Sequence, residues 1–153
     1  MNKFNETLKQ KMEELKYQQK ELAKEIGVNR TQFHRWNTHT YSPNFSSLVG
    51  LADSLICSID ELVGREYNGG FSAEYLNLDF STILKLKRKE LGISQRQLAK
   101  KLNTTQCNVH YWENGRFRPN IIDLISLADI FGCSIDELVG RRNYKTTKRR
   151  AIC

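Results

Sequence analysis

Residues 94–119, SQRQLAKKLNTTQCNVHYWENGRFRP, read as two short helices joined by a tight turn. Ser94 followed three residues later by Gln97 is the signature of a capping box, so a helix starts there. Leu98, Ala99 and Leu102 then lay one apolar stripe along about two turns. Asn103 tolerates the left-handed conformation that ends such a helix, and Thr105 is suited to capping the next one. That next helix turns Val109 and Trp112 inward and leaves Gln106, Cys107, Asn108 and Tyr111 pointing elsewhere. So narrow an apolar side leaves the opposite face free to meet a polar partner.

The stretch has a counterpart 76 residues earlier. With that shift, residues 4–65 align with 80–141 without a gap, and 27 of the 62 pairs are identical, among them Phe4/Phe80, Leu22-Ala23-Lys24/Leu98-Ala99-Lys100, Trp36/Trp112 and Pro43-Asn44/Pro119-Asn120. Two copies are too few for a solenoid, so each must bury a core of its own, which about 60 residues can just do. The expected organisation is a first domain over 1–65, a linker over 66–79, a second domain over 80–141 and a basic tail over 142–153. Asn68-Gly69-Gly70 marks a joint in the linker, and Phe71, Tyr75, Leu76 and Leu78 are apolar enough that part of it should pack against a domain.

Each copy predicts five helices. The first spans 4–15 and 80–91, with Phe4, Leu8 and Leu15, and Phe80, Leu84 and Leu91, at helical spacing. The second covers 19–26 and 95–102, with Gly27 supplying in one copy the turn that Asn103 supplies in the other. The third runs over 30–37 and 106–113. Asn44 and Asn120 cap the fourth, whose stripe is Leu48, Leu51, Ala52 and Leu55, or Leu124, Leu127, Ala128 and Phe131. SIDELVG announces the fifth in both, with Ser58/Glu61 and Ser134/Glu137 as capping boxes and Gly64 or Gly140 as the stop. The fold class is all-α.

The run Gln95, Leu98-Ala99, Trp112-Glu113-Asn114-Gly115 and Pro119 resembles the helix-turn-helix of the Xre family, the class of Cro and the lambdoid phage repressors. The resemblance implies two tandem five-helix domains whose third helix enters the DNA major groove. It also implies that the residue opening helix 2 and the first residues of helix 3 approach the DNA. By alignment these are Gln95, Thr105, Gln106, Cys107, Asn108 and Tyr111 in the second copy, with Asn114, Arg116 and Arg118 extending a phosphate-facing rim. In the first copy they are Gln19, Asn29, Arg30, Thr31, Gln32 and Arg35. These side chains suit base recognition, since Gln and Asn grip adenine and Arg grips guanine in bidentate pairs. The first copy departs from the pattern, with Asn37-Thr38-His39 in place of Glu113-Asn114-Gly115 and Gln18 in place of Ser94, which implies a reshaped loop after its third helix.

The copies agree where a core would be and differ where a reading surface would be. From Leu51 to Arg65, 12 of 15 positions match, whereas from Gly27 to Ser42 only His34 and Trp36 of 16 do. The two domains are therefore expected to prefer different half-sites. A 14-residue linker reaches roughly 45 Å when extended, enough for half-sites about 34 Å apart.

The net charge is +7, which favours a polyanionic partner. Residues 1–76 carry 9 Lys/Arg and 10 Asp/Glu, net −1, and residues 77–153 carry 15 and 7, net +8. Basic character belongs to the second half, and the tail is expected to add salt-dependent affinity for duplex DNA. No apolar run approaches the roughly 20 residues of a membrane span, the N-terminus lacks a signal-peptide core, and the four cysteines form no C-x-x-C pair. The expectation is a soluble cytoplasmic protein associated with the nucleoid. Trp36 and Trp112 read as core; Cys57 and Cys133 read as small buried thiols. His34, His39 and His110 lack neighbours at zinc-ligand spacing, so neither metal nor cofactor is expected, and no nucleophile–base set points to an enzyme.

Double-stranded DNA is the expected partner and regulation of transcription, by repression, the expected function. The SIDELVG segments offer pairing within one chain as a pseudo-dimer, or between chains as a homodimer. The alternative is a protein-interaction module, an antitoxin or inhibitor with a protein partner, whose DNA binding serves its own gene; the near-neutral first copy motivates it.

Overall fold

The structure, a computed structural model, describes residues 2–38, 41–70 and 72–141. His39, Phe71 and the basic tail, on which three of the expectations above fall, lie outside the described residues. The chain divides after Glu66 into two compact units. The first holds α1 (Asn2–Glu14), α2 (Gln19–Glu25), α3 (Arg30–Asn37), α4 (Phe45–Ser54) and α5 (Ile59–Val63). The second holds a 3-10 turn (Ala73–Tyr75), then α6 (Phe80–Glu90), α7 (Gln95–Lys101), α8 (Gln106–Glu113), α9 (Ile121–Phe131) and α10 (Ile135–Leu138). Among the described residues every regular element is helical, so the all-α class with five helices per repeat holds.

Helix starts follow side-chain chemistry. The side-chain carbonyl oxygens of Asn44 and Asn120 accept from the backbone N–H of Ser47 at 2.9 Å and Asp123 at 2.8 Å. Ser94 and Gln97 close their capping box at 3.1 and 2.8 Å. Each such cap satisfies an orphan N–H and contributes about 1 kcal/mol. Left-handed backbone recurs in register at Lys16/Gly92, Gly27/Asn103, Ile56/Gly132 and Gly64/Gly140, so the two chains of turns follow one track even where the residue has changed.

Both cores use equivalent positions. Leu8, Leu22, Phe33, Leu48, Leu51, Ile59 and Leu62 are buried in the first unit, and Leu84, Leu98, Val109, Leu124, Leu127, Ile135 and Leu138 in the second. Trp36 and Trp112 are core, as expected, at 2 % and 4 % exposure, and Cys57 and Cys133 are buried.

Two expectations are corrected. Leu15 and Leu91, placed on the core stripe of the first helix, are exposed at 40 % and 49 %; α1 and α6 stop one residue earlier, and the chain turns away at Lys16 and Gly92. The serines of SIDELVG do cap, Ser58 at 2.9 Å and Ser134 at 3.0 Å. The glutamates three residues on, however, reach across to the first helix of their unit: Glu61 pairs with Lys11 at 2.7 Å and Glu137 with Lys87 at 2.6 Å. An ammonium within reach outcompetes a neutral backbone N–H for the carboxylate.

The connecting stretch is in large part built into the second unit. Tyr75 is buried, its ring lies 4.3 Å from the Lys87 ammonium and its hydroxyl donates to Glu90 at 2.5 Å. The Ser72 N–H donates to Glu137 at 3.1 Å, and the Tyr67 hydroxyl to the Gly132 carbonyl at 3.4 Å. The 45 Å reach of residues 66–79 therefore applies only if these bonds break.

Candidate nucleic-acid interface

In the second unit α7 and α6 both pack against α8. Val109 and Trp112 face that contact, while Thr105, Gln106, Cys107, Asn108 and His110 are exposed. The helix is capped by Thr105, whose hydroxyl accepts from the Asn108 N–H at 3.2 Å, and the Asn108 side-chain amide donates to Thr104 at 2.8 Å. Gln106 and Cys107 thus stand at the head of the exposed face, with Thr105 and Asn108 giving part of their bonding to the turn. Tyr111 is half-buried, with Phe117 edge-on at 5.4 Å and the Arg116 guanidinium 5.5 Å from its ring centre. Arg118 donates to the Ser81 hydroxyl at 2.7 Å and lies 5.8 Å from the Phe80 ring, which ties it to the start of α6. Asn114 is exposed and its amide meets the His110 ring at 2.9 Å.

Gln95, at the start of α7, is held from behind. Its amide donates to Glu113 at 2.8 Å, and that carboxylate also takes the Arg88 guanidinium at 2.5 and 3.1 Å. Burial pushes the Glu113 carboxyl up, but the bonds from Arg88 and Gln95 outweigh it and hold the group below the ordinary carboxylate range. The Glu of the Glu-Asn-Gly run therefore acts inside the unit, positioning Gln95. The residue that makes this possible, Arg88, carries no motif of its own and escapes a reading of the sequence.

In the first unit Arg30, Thr31 and Arg35 are exposed on α3, with Gln32 half-buried. Asn29 caps the helix, its side chain accepting from the Gln32 N–H at 2.7 Å. Beside α3 runs an open groove of about 480 Å³ lined on one side by Asn29, Thr31, Gln32 and Arg35 and on the other by Tyr41 and Ser42. Arg35 stands 5.4 Å from the ring centre of Tyr41, which is 57 % exposed. Gln19 is exposed at the start of α2. Tyr41 and Phe117 are further members of the surface that sequence reasoning misses. They occupy equivalent positions, one after each third helix, and both touch the residue at the equivalent of 35 or 111; an aromatic in both copies is the available signal.

Within each unit, then, most of the sequence-predicted residues gather along the exposed face and the head of α3 or α8, while Gln19 and Gln95 open the preceding helix and Asn114, Arg116 and Arg118 follow α8. Among the described residues of each unit, no other element covers the polar face of α3 or α8. Among them, too, no cluster of His, Cys, Asp or Glu suits a metal ion, and no helix is long and apolar enough to cross a membrane.

Both units resemble known proteins. A family model described as a Cro/C1-type HTH DNA-binding domain matches residues 7–67, and one described as helix-turn-helix matches residues 84–138. Among curated proteins, the cryptic phage CTXphi transcriptional repressor RstR of Vibrio cholerae is 35 % identical over 63 residues, 41 % of this chain and 56 % of its own length. The HTH-type transcriptional regulator AnsR of Bacillus subtilis is 36 % identical over 77 residues, 50 % of this chain and 64 % of its own. The chain thus spans less than two thirds of either relative. No solved structure matches it. Two exposed helices on two equivalent cores, each core matched by a helix-turn-helix model, place the chain in the Xre family of Cro/C1-type helix-turn-helix proteins, with two such DNA-binding domains in tandem.

Proposed function

We propose that this chain is a sequence-specific regulator of transcription, acting as a repressor, that seats α3 and α8 in adjacent major grooves of one operator. The observation that carries this reading is the pairing of like cores with unlike exposed helices. Arg30, Thr31, Gln32 and Arg35 on α3 stand where Gln106, Cys107, Asn108 and Tyr111 stand on α8. An arginine at the head of one helix favours guanine and a glutamine at the head of the other favours adenine, so the operator is asymmetric. Arg116, Arg118 and Asn114 supply phosphate contacts that set register without reading sequence. The names of the two relatives, a repressor and a regulator, agree with this assignment. Such a protein works in the cytoplasm, on the nucleoid. Pairing through the last helices, within or between chains, is part of the proposal, and through α10 it has to use the flank that Ser72 and Tyr75 leave open.

Selection of bound sequences from random duplex DNA, followed by footprinting, tests the reading. Gln106→Ala with Asn108→Ala should relax base preference at one half-site by about 1–3 kcal/mol per lost bidentate pair. Arg116→Ala should weaken all sequences alike and reduce the salt slope by about 0.9. Footprints unaltered by both sets would refute it.

A further inference from the structure

At one internal position the two units are built differently, and the difference leaves a cavity. In the second unit the Arg88 guanidinium is held by Glu113 and by the Ile93 carbonyl at 2.8 Å, and Gln95 closes the far side of the carboxylate. The equivalent positions in the first unit are Met12, Asn37, Tyr17 and Gln19. Met12 is buried and brings no donor. Asn37 is 9 % exposed, and neither its Nδ2 nor its Oδ1 has a hydrogen-bond partner. Beside it lies an open cavity of about 370 Å³, rimmed by Lys9, Lys16, Glu13 and Gln19 over Met12.

A buried amide without partners costs the folded state the desolvation of its ends, and a ligand that accepts a hydrogen bond relieves the N–H end. We propose that this cavity is a phosphate-binding site, in which a phosphoryl group accepts from the Asn37 and Gln19 amides and is neutralised by Lys9 and Lys16. The chemistry of the lining selects that class. Glu13 opposes it, but one carboxylate against two ammonium groups leaves the rim cationic, so a cationic ligand is repelled. An apolar ligand leaves the amide orphaned. A water molecule satisfies the amide and makes no use of the lysines. The Tyr17 hydroxyl is committed to Glu25 at 3.1 Å and takes no part. Lys16 is held at φ 56 where the second unit has Gly92, so the first unit keeps a cation where the backbone favours glycine. Both polar atoms of Asn37 are shielded from solvent, so a ligand reaches them when the long side chains at the rim shift. In the second unit the equivalent position is filled by its own guanidinium.

The phosphoryl group has two sources, a free phosphate compound or the backbone of duplex DNA. The full chain, labelled with nitrogen-15, is titrated with sodium phosphate against sodium chloride at matched ionic strength, following the side-chain amide signals of Asn37 and Gln19. Phosphate and not chloride should shift them saturably. Lys16→Gln, at an exposed position, should weaken that binding by about twofold to fivefold, the loss of one partly exposed charge contact. Met12→Arg with Asn37→Glu, which rebuilds the second unit's pair, should abolish the shift of Gln19. A random-sequence duplex that moves the same signals and competes with phosphate identifies the backbone as the source. If the duplex leaves them in place while phosphate moves them, a free phosphate compound is the ligand. A duplex that binds nowhere on the chain sinks the regulatory reading and leaves the phosphate result standing. No response to phosphate or duplex, an equal response to chloride, or undiminished binding by Lys16→Gln overturns the proposal.

Discussion

Replacing Glu113 by Ala should cost the second unit a large part of its stability. The Glu113 side chain is 2 % exposed and that of Arg88 11 %, so the substitution strands a guanidinium that has little access to water. Removing one member of a buried pair typically costs about 3–5 kcal/mol, because the remaining charge keeps its desolvation penalty without its partner. At roughly 0.05–0.15 kcal/mol per residue, a domain of about 65 residues has about 3–10 kcal/mol in all. The comparison bounds the outcome: the variant unit loses roughly a third to all of its stability. Removing both charges should be far milder. Arg88→Met with Glu113→Asn installs the pair that the first unit already carries at Met12 and Asn37, and no charge is left uncompensated. The double variant should be at least about 1–2 kcal/mol more stable than Glu113→Ala alone. Urea unfolding followed by tryptophan fluorescence measures this. In a Trp36→Phe background the signal comes from Trp112, buried in α8 beside the pair. An exposed pair would be worth less than about 1 kcal/mol. If Glu113→Ala shifts the transition by no more than that, or if the double variant is no better than the single one, the pair does not hold α6 to α8 and the reasoning fails.

Other outcomes follow from the same geometry. Asn44→Ala and Asn120→Ala each remove a cap and should cost about 1 kcal/mol, a fall in melting temperature of roughly 4–8 °C for a domain of this size. Gly140→Ala should cost at least about 2 kcal/mol, combining left-handed strain with overpacking, since a Cβ there would lie 2.1 Å from the Leu78 carbonyl oxygen at φ 72. Gly92→Ala, at φ 65 with nothing within 4 Å, should cost only the left-handed penalty of about 1 kcal/mol, and equal losses in the two would refute the close packing of the 72–79 stretch. In acid, the unfolded chain protonates Glu113 before the folded unit does, because the folded group is held low. Its contribution is complete above the ordinary glutamate pKa of about 4.3 and is lost as pH falls further; Glu113→Gln should flatten that limb of the stability profile. In alkali, the bond to Glu90, helped by burial, raises the Tyr75 hydroxyl. Its contribution is complete below the ordinary tyrosine value of about 10 and is lost as pH rises through the folded one, so Tyr75→Phe should remove that dependence.

What the sequence discloses and what it hides follow from how far apart the interacting residues lie. Caps, turns and the bounds of α3 and α8 depend on neighbours within four residues, and they are legible as such. The leucines at 15 and 91 prove exposed because a periodic stripe does not say where its helix stops. Glu61 and Glu137 prove to be ion-pair partners because a local motif looks complete without Lys11 and Lys87, some 50 residues away. Arg88 and Glu113, 25 residues apart, look in the sequence like two unrelated solvated charges. Yet the repeat holds a signal for them, since two copies of one fold in a single chain form an alignment of two. Two pairs of positions that differ between the copies are in contact: Arg88 with Glu113, where the first unit has Met12 and Asn37, and Arg35 with Tyr41, as Tyr111 with Phe117. In the second case the contact survives as an arginine over a tyrosine in one unit and as two rings edge to edge in the other. In the first it is present in one unit only, and the unit without it is the one with a buried amide lacking a partner. A core repacks freely so long as volume is kept, but a buried charge pair dissolves only if both members go. The first unit has neither member, and at that position the unmet hydrogen bonds of Asn37 set it apart from its copy.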